Sequence, residues 1–215
     1  FDKYDLMNDI MSLGVHRIWK KNMIDWMNPQ KGSCLIDVGS GTGDIAKSFL
    51  ERIKFQGKVT CVEPNKLMLK TGKRKLKNLN KIEWIAASAE KLPLESENFD
   101  LYSVSFGIRN FSNINQSLKE AKRVLKKGGR IFCLEFSKVE NEILKKLYKT
   151  YSRSIPHIGK YVTGKSEPYE YLINSIDKFY NQEELSEIFK KNGFYKVEYR
   201  NLSGGIAAIH SGWKI

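Results

Sequence analysis

Short apolar runs recur along the first two thirds of the chain, with stretches of helical spacing between them. Residues 33–38 (SCLIDV), 58–63 (KVTCVE), 82–87 (IEWIAA), 100–106 (DLYSVSF) and 130–136 (RIFCLEF) are such runs. Nearly continuous apolar runs of strand length suit strands covered on both faces of a sheet. Residues 44–54, 65–79 and 114–126 carry the apolar spacing of amphipathic helices. Strands alternating with helices of this length predict repeated βαβ units and an α/β fold with a doubly wound, parallel sheet. Lys127-Gly128-Gly129 reads as a helix stop before the fifth strand.

The rhythm changes after residue 137. Ile143, Leu144, Leu147, Tyr148 and Tyr151 share one side of a helix, with Lys145, Lys146, Lys149 and Arg153 around it. Pro156, Gly159 and Gly164 are expected to break that helix. Residues 138–180 therefore read as an insertion that covers the carboxyl edge of the sheet as a lid, or as a helix packed on the core with a basic outer face. Residues 181–192 form an amphipathic helix closed by Gly193, and 195–202 and 206–211 flank Gly204-Gly205, a hairpin signal. The sheet is thus expected to be mostly parallel and to end in an antiparallel hairpin. No internal repeat interrupts the pattern, and 1–215 reads as a single domain.

Composition narrows the partners more than the fold. No apolar run approaches the roughly 18 residues of a membrane span. Cys34, Cys61 and Cys133 lie far apart, each in an apolar strand, which argues against a disulfide framework or a zinc spacing. His16, His157 and His210 have no His or Cys neighbours at ligand spacing, so no metal is expected; His210 reads best as a hydrogen-bonded structural histidine. Lys and Arg number 37 against 24 Asp and Glu, a net charge of +13. Such an excess attracts polyanions, namely nucleic acid, anionic lipid or a phosphorylated ligand, or is simply a solvated surface. The densest basic stretch is Lys66, Lys70, Lys73, Arg74, Lys75, Lys77 and Lys81, with no acid among residues 64–82. It sustains an RNA or tRNA methyltransferase as a rival reading. Little aromatic interleaving and no appended RNA-binding motif make nucleic acid the weaker partner.

The most informative stretch is Asp37-Val38-Gly39-Ser40-Gly41-Thr42-Gly43, between the first strand and its helix. Ligands of open α/β sheets sit outside the carboxyl ends of the strands, and glycines there let backbone come close. A dinucleotide site wants G-x-G-x-x-G, with pyrophosphate on the helix amino end. Here the spacing is G-x-G-x-G, and Asp44 occupies the place of the third dinucleotide glycine, where a carboxylate opposes a pyrophosphate. Asp37 suits a ligand with positive charge near the turn. S-adenosylmethionine carries an ammonium and a sulfonium and no phosphate. Glu63, ending the second strand, can accept both hydroxyls of a ribose, or is a solvated strand-end acid. Ser88 and Ala89, after the third strand, stand where an adenine can be held.

These residues lie within a wider resemblance. Lys3-Tyr4-Asp5-Leu6-Met7-Asn8 with 12–20, the run 105–110 (SFGIRN), 134–137 (LEFS), 169–172 (YEYL) and 201–210 (NLSGGIAAIH) resemble signatures of the ubiquinone/menaquinone biosynthesis C-methyltransferases across essentially the whole chain. The resemblance implies a class I methyltransferase (Rossmann-like) fold and methylation of a ring carbon of a polyprenylated benzoquinol or naphthoquinol. It carries S-adenosylmethionine contacts onto Thr42, Glu63, Ser88, Ala89 and Ser105. Glu63 stands where family members often have Asp, and Ser88 where they usually have Asn, which shortens the reach to the adenine.

Methylating carbon needs an electron-rich ring, and losing a phenolic proton of pKa near ~10 is unfavourable by roughly 4 kcal/mol at pH 7. Arg109 is expected to stabilise the developing phenolate and to orient the quinol oxygen, and Asn110 to position the water that takes the proton. Arg itself is a poor base at a pKa above ~12. A structural ion-pair role is the other reading of Arg109. Tyr4 and Arg17 are candidates to close over the ligands. A prenyl tail drawn from a bilayer makes an anionic membrane surface a partner, with residues 143–165 as an interfacial helix. A homodimer or a quinone-biosynthesis complex is a further expected partner, and a non-catalytic, cofactor-binding subunit of such a complex is another rival reading. The expected location is peripheral: the matrix side of the mitochondrial inner membrane in a eukaryote, or the cytoplasmic face in a bacterium. The chain opens on Phe1 rather than Met, so its start says nothing about targeting.

Overall fold

A computed structural model describes Asp9, Ser12 and residues 14–163 and 166–215. Tyr4 and Gly164 lie outside the described residues, as does the side chain of His157. The first helix, α1 (His16–Met27), buries His16, Trp19, Met23, Ile24 and Met27, the spacing of one helical face. It ends at Asn28, which adopts the left-handed conformation. The chain then alternates through β1 (Cys34–Val38), α2 (Asp44–Arg52), β2 (Lys58–Val62), α3 (Lys66–Lys75), β3 (Ile82–Ile85), β4 (Phe99–Ser105), α4 (Ile114–Val124) and β5 (Leu125–Phe136). Two further helices follow, α5 (Glu142–Thr163) and α6 (Glu167–Lys178). The chain closes with α7 (Gln182–Lys191), β6 (Tyr195–Leu202) and β7 (Ala207–Trp213).

The seven strands form one sheet in the order β3-β2-β1-β4-β5-β7-β6. The first five are parallel, and β7 runs antiparallel between β5 and β6. The expected mostly parallel sheet with a carboxyl-terminal hairpin is therefore observed, with its last strand inside the sheet and β6 on the edge. Two apolar layers cover it. α1, α2, α5 and α6 contribute to one, with Trp19, Met23, Phe49, Ile155 and Tyr169. α4 and α7 contribute to the other, with Leu118, Ala121, Leu185 and Phe189. The chain order reverses between β1 and β4, so the crevice outside their carboxyl ends is the switch point.

Two sequence expectations need correction. The helix before β5 does not run to Lys127-Gly128-Gly129. It ends at Val124, and Leu125 already pairs with Phe99. The two glycines sit inside a register shift of β5, where Gly128 has a φ of 76° and donates its N–H to the Lys214 carbonyl at 2.8 Å. They form a bulge tied to the chain end. Nor do Pro156 and Gly159 break α5, which runs 22 residues through both. A proline removes one hydrogen bond of the ladder, and burial of the flanking Ile155 holds the helix against the core.

The apolar face expected on α5 also divides into two. Leu144, Tyr148 and Tyr151 turn toward the protein, whereas Ile143 and Leu147 are 73% and 64% exposed. At 3.6 residues per turn the two rows lie roughly 60–100° apart, and only one of them meets the core.

Candidate functional site

The turn after β1 is shaped by glycines that cannot be replaced cheaply. Gly43 caps α2 at a φ of 86°, and a Cβ there would come within 2.7 Å of Leu76 and 2.9 Å of Trp84. Gly43 therefore serves the packing behind the turn, while Gly39, Ser40, Gly41 and Thr42 face a cavity with Asp37, Lys20, Asp44, Met68 and Ser105. Gly39, Gly41, Met68 and Phe106 also line an adjoining cavity of about 400 Å³, with Glu63, Asn65, Ser88, Ala89 and Asn110. The size suits a small organic ligand. The structure thus brings Asp37, Gly39, Gly41, Thr42, Glu63, Ser88, Ala89, Ser105 and Asn110 to one crevice.

The electrostatics of that crevice follow from burial. Asp37 sits in the middle of the sheet, 1% exposed, and its Oδ1 accepts a hydrogen bond from the Ser103 hydroxyl at 2.7 Å. Burial pushes its carboxyl up to about 7, against the pull of Ser103 and Lys20. Its Oδ2 has no hydrogen-bond partner among the described residues, and neither does the buried Ser105 hydroxyl. Buried polar atoms are nearly always satisfied in folded proteins, so both are poised for a ligand with donors. Glu63 is held from two sides: one carboxylate oxygen accepts the Gly41 N–H and the other the Asn65 N–H, both at 2.9 Å. Each oxygen keeps a further lone pair for a pair of hydroxyls. Asp44 is clamped by Lys20 at 2.9 Å and Lys75 at 2.7 Å. Burial alone would raise its carboxyl, but the two ammonium groups hold it below the ordinary carboxylate range.

Arg109 lies behind this crevice. It follows β4 on a short 3-10 turn, Ile108–Asn110. Its Nη1 donates to Glu135 at 2.6 Å and to the Phe106 carbonyl at 2.9 Å, and both side chains of the ion pair are 2% exposed. Burial raises the Glu135 carboxyl, and the guanidinium draws it back. The guanidinium also lies over the Phe136 ring at 5.7 Å. The structure shows the ion pair of Arg109, and the residues lining the two cavities do not include it. Arg17 pairs with Asp9. Among the described residues, His210 makes no hydrogen bond to the crevice; its Nε2 donates to the Gln182 carbonyl at 2.9 Å, and its ring lies near those of Phe189 and Tyr199.

Sequence reasoning did not assign Lys20, Met68, Phe106 or Asn65 to the site. Phe106 and Lys20 fall inside motifs already noted, but their orientation depends on how α1 crosses the sheet. Glu135 was likewise visible only as part of a motif. Among the described residues, no group of three or more His, Cys, Asp or Glu is placed to hold a metal, and no helix is long and apolar enough to cross a membrane.

A seven-stranded sheet of this order, with a glycine turn at the switch point and a strand-end carboxylate after β2, defines a class I, S-adenosylmethionine-dependent methyltransferase. Solved structures share the fold: a methyltransferase of Aquifex aeolicus (TM-score 0.69, 17% identity, 91% of this chain and 89% of that one) and one of Thermotoga maritima (TM-score 0.69, 19% identity, 100% and 95%). The model of the ubiE/COQ5 methyltransferase family matches residues 1–214, and the chain belongs to that family. A ubiquinone/menaquinone biosynthesis C-methyltransferase, UbiE, of Brucella anthropi is 49% identical over 99% of this chain and 83% of its own length. The chain is an enzyme that uses S-adenosylmethionine as methyl donor.

Proposed function

We propose that this enzyme methylates a ring carbon of a polyprenylated benzoquinol or naphthoquinol. What supports the reading is the turn after β4, where Asn110 lines the crevice and accepts from Tyr171 of α6, and Arg109 lies behind it with Glu135; we read α5 and α6 as a cap over this turn. Asp37 and Ser105 offer unpaired buried atoms to the amino-acid end of the donor, Glu63 its carboxylate to the ribose, and Ser88 and Ala89 their positions to the adenine. Bound there, the donor supplies an electrophilic methyl group on sulfonium.

The chain's own residues prepare the acceptor. Arg109 stabilises negative charge on the quinol oxygen, which raises the electron density of the ring. A water held by Asn110 takes the phenolic proton. The ring carbon gains the methyl as its bond to sulfur breaks, and the ring hydrogen leaves as a proton to restore aromaticity. Because Glu135 already neutralises Arg109, the pair gives orientation and hydrogen bonding rather than a full unpaired charge.

The exposed Ile143 and Leu147, flanked by exposed Lys145 and Lys146, support a peripheral contact with an anionic bilayer from which the prenyl tail enters. The deciding experiment is transfer of labelled methyl from S-adenosylmethionine to a short-chain benzoquinol, a naphthoquinol and bulk tRNA, side by side. Label in a quinol is expected and separates the ring types. Label in tRNA alone would reject the reading and move the function to the basic face of α3.

A further inference from the structure

Among the described residues, two hydroxyls on α5 and α6 have no hydrogen-bond partner. The phenolic oxygens of Tyr148 on α5 and Tyr169 on α6 are buried, and neither makes a hydrogen bond among the described residues. Tyr169 is 1% exposed. Both rings pack in one apolar cluster with Trp19, Phe106 and Phe136, and Phe136 is the ring beneath the Arg109 guanidinium. Burial pushes the Tyr148 phenol up, and the Arg109 charge acts on it in the opposite sense, so the two groups share one electrostatic neighbourhood. α6 also meets the strand-end turn directly, through a hydrogen bond from the Tyr171 hydroxyl to Asn110 Oδ1 at 3.3 Å.

A buried hydroxyl left unpaired is destabilising, and phenylalanine would fill the same space without that cost. Two tyrosines that keep this cost on facing cap helices have a use for their oxygens. The same signature marks the donor site at Asp37 and Ser105. We propose that Tyr148 and Tyr169 bind the acceptor ring, hydrogen-bonding the oxygen substituents of a dihydroxylated aromatic ring. A hydroxyl donates or accepts, so each can serve the phenol and the phenolate. A ring without oxygen substituents would leave both tyrosines unpaired and is rejected on that ground. The inference rests on the quinol reading above and adds to it the groups that recognise the ring.

Tyr148→Phe and Tyr169→Phe test it, with thermal melting of the free enzyme and kinetics on a short-chain quinol. Each substitution removes an unpaired buried hydroxyl, so the melting temperature of the free enzyme is expected to stay level or rise. The KM for the quinol is expected to rise about tenfold for each lost hydrogen bond, with the KM for S-adenosylmethionine unchanged. Wild-type quinol kinetics in both variants would overturn the inference, as would a fall in melting temperature, which reports a hydroxyl bonded within the protein. Wild-type enzyme that methylates no quinol overturns the parent reading itself. Active wild type with unaffected variants overturns only the role of the two tyrosines.

Discussion

The glycine-turn crevice and the pair of helices α5 and α6 share buried unpaired polar atoms but differ in the rest of their build. In the crevice most polar groups are tied down: Glu63 by two backbone N–H groups, Asp44 by two lysines and one oxygen of Asp37 by Ser103, while its other oxygen and the Ser105 hydroxyl have no partner among the described residues. Helices α5 and α6 carry tyrosine hydroxyls buried without partners among the described residues, and apolar side chains turned to solvent. A rigid, charged pocket suits a donor whose charges and hydroxyls never vary. An aromatic, partly unsatisfied surface suits an acceptor with a planar ring and a greasy tail. Arg109 stands on the border, fixed to the sheet through Glu135 and close to the cap.

Breaking that border has the largest expected effect. Arg109→Ala removes the group proposed to stabilise the phenolate and should lower kcat by about 10²–10³-fold. It also leaves Glu135 buried and unpaired, at a cost of about 3–5 kcal/mol. Arg109→Met combined with Glu135→Leu separates the two roles. Chemical denaturation should show stability largely restored, while label transfer stays lost. Recovery of turnover in the double variant would reduce Arg109 to a packing residue.

Next comes the donor side alone. Glu63→Ala should weaken S-adenosylmethionine binding by about 10–100-fold, the range of hydrogen bonds to a charged acceptor, as read by isothermal titration calorimetry. The KM for a short-chain quinol should barely move. An equal loss on both ligands would dissolve the contrast between the two regions.

A pH series sharpens the same contrast. Asp37 has a folded-state pKa of about 7, raised above its unfolded value by burial. Its burial therefore costs stability that is absent below the unfolded pKa near 4 and fully present above 7, so the free protein should lose stability as pH rises through that window. Donor binding should show the reverse trend. A cationic ligand favours the ionised carboxylate, so affinity should improve about tenfold from pH 6 to pH 8. Asp37→Asn should flatten both profiles; an unchanged slope would assign the titration elsewhere.

The smallest effect belongs to the outer row of α5. Ile143→Ser with Leu147→Ser should leave unfolding free energy within about 0.5 kcal/mol, as surface changes do, and spare turnover on a short-chain quinol. Cosedimentation with anionic vesicles should drop several-fold. Vesicle binding at the wild-type level would remove α5 from the membrane contact.

The legibility of these regions differs for a physical reason. Gly39, Gly41, Thr42 and Asp37 lie within a few residues of one another, so their joint geometry follows from one turn and its spacing. Glu63, Ser88 and Ala89 were legible because parallel strands deliver their carboxyl ends to a common edge. Lys20 joins the crevice only because α1 crosses the sheet there, and no local pattern announces it. Glu135 is an apolar-strand carboxylate whose partner, 26 positions away, is known only once β4 and β5 pair. On α5 a helical wheel could not say which of two adjacent rows meets the core.

The sequence by itself determined the strand–helix alternation, the glycine turn, the excess of positive charge and the family, since each is written in local spacing or contiguous motifs. Tertiary structure decided that β7 enters the sheet inside β6, that Gly128-Gly129 make a bulge, that α5 passes through Pro156, and that Tyr148 and Tyr169 keep their hydroxyls unpaired. Those outcomes depend on which surfaces meet across long separations in the chain, where burial and hydrogen-bond satisfaction outweigh local preference.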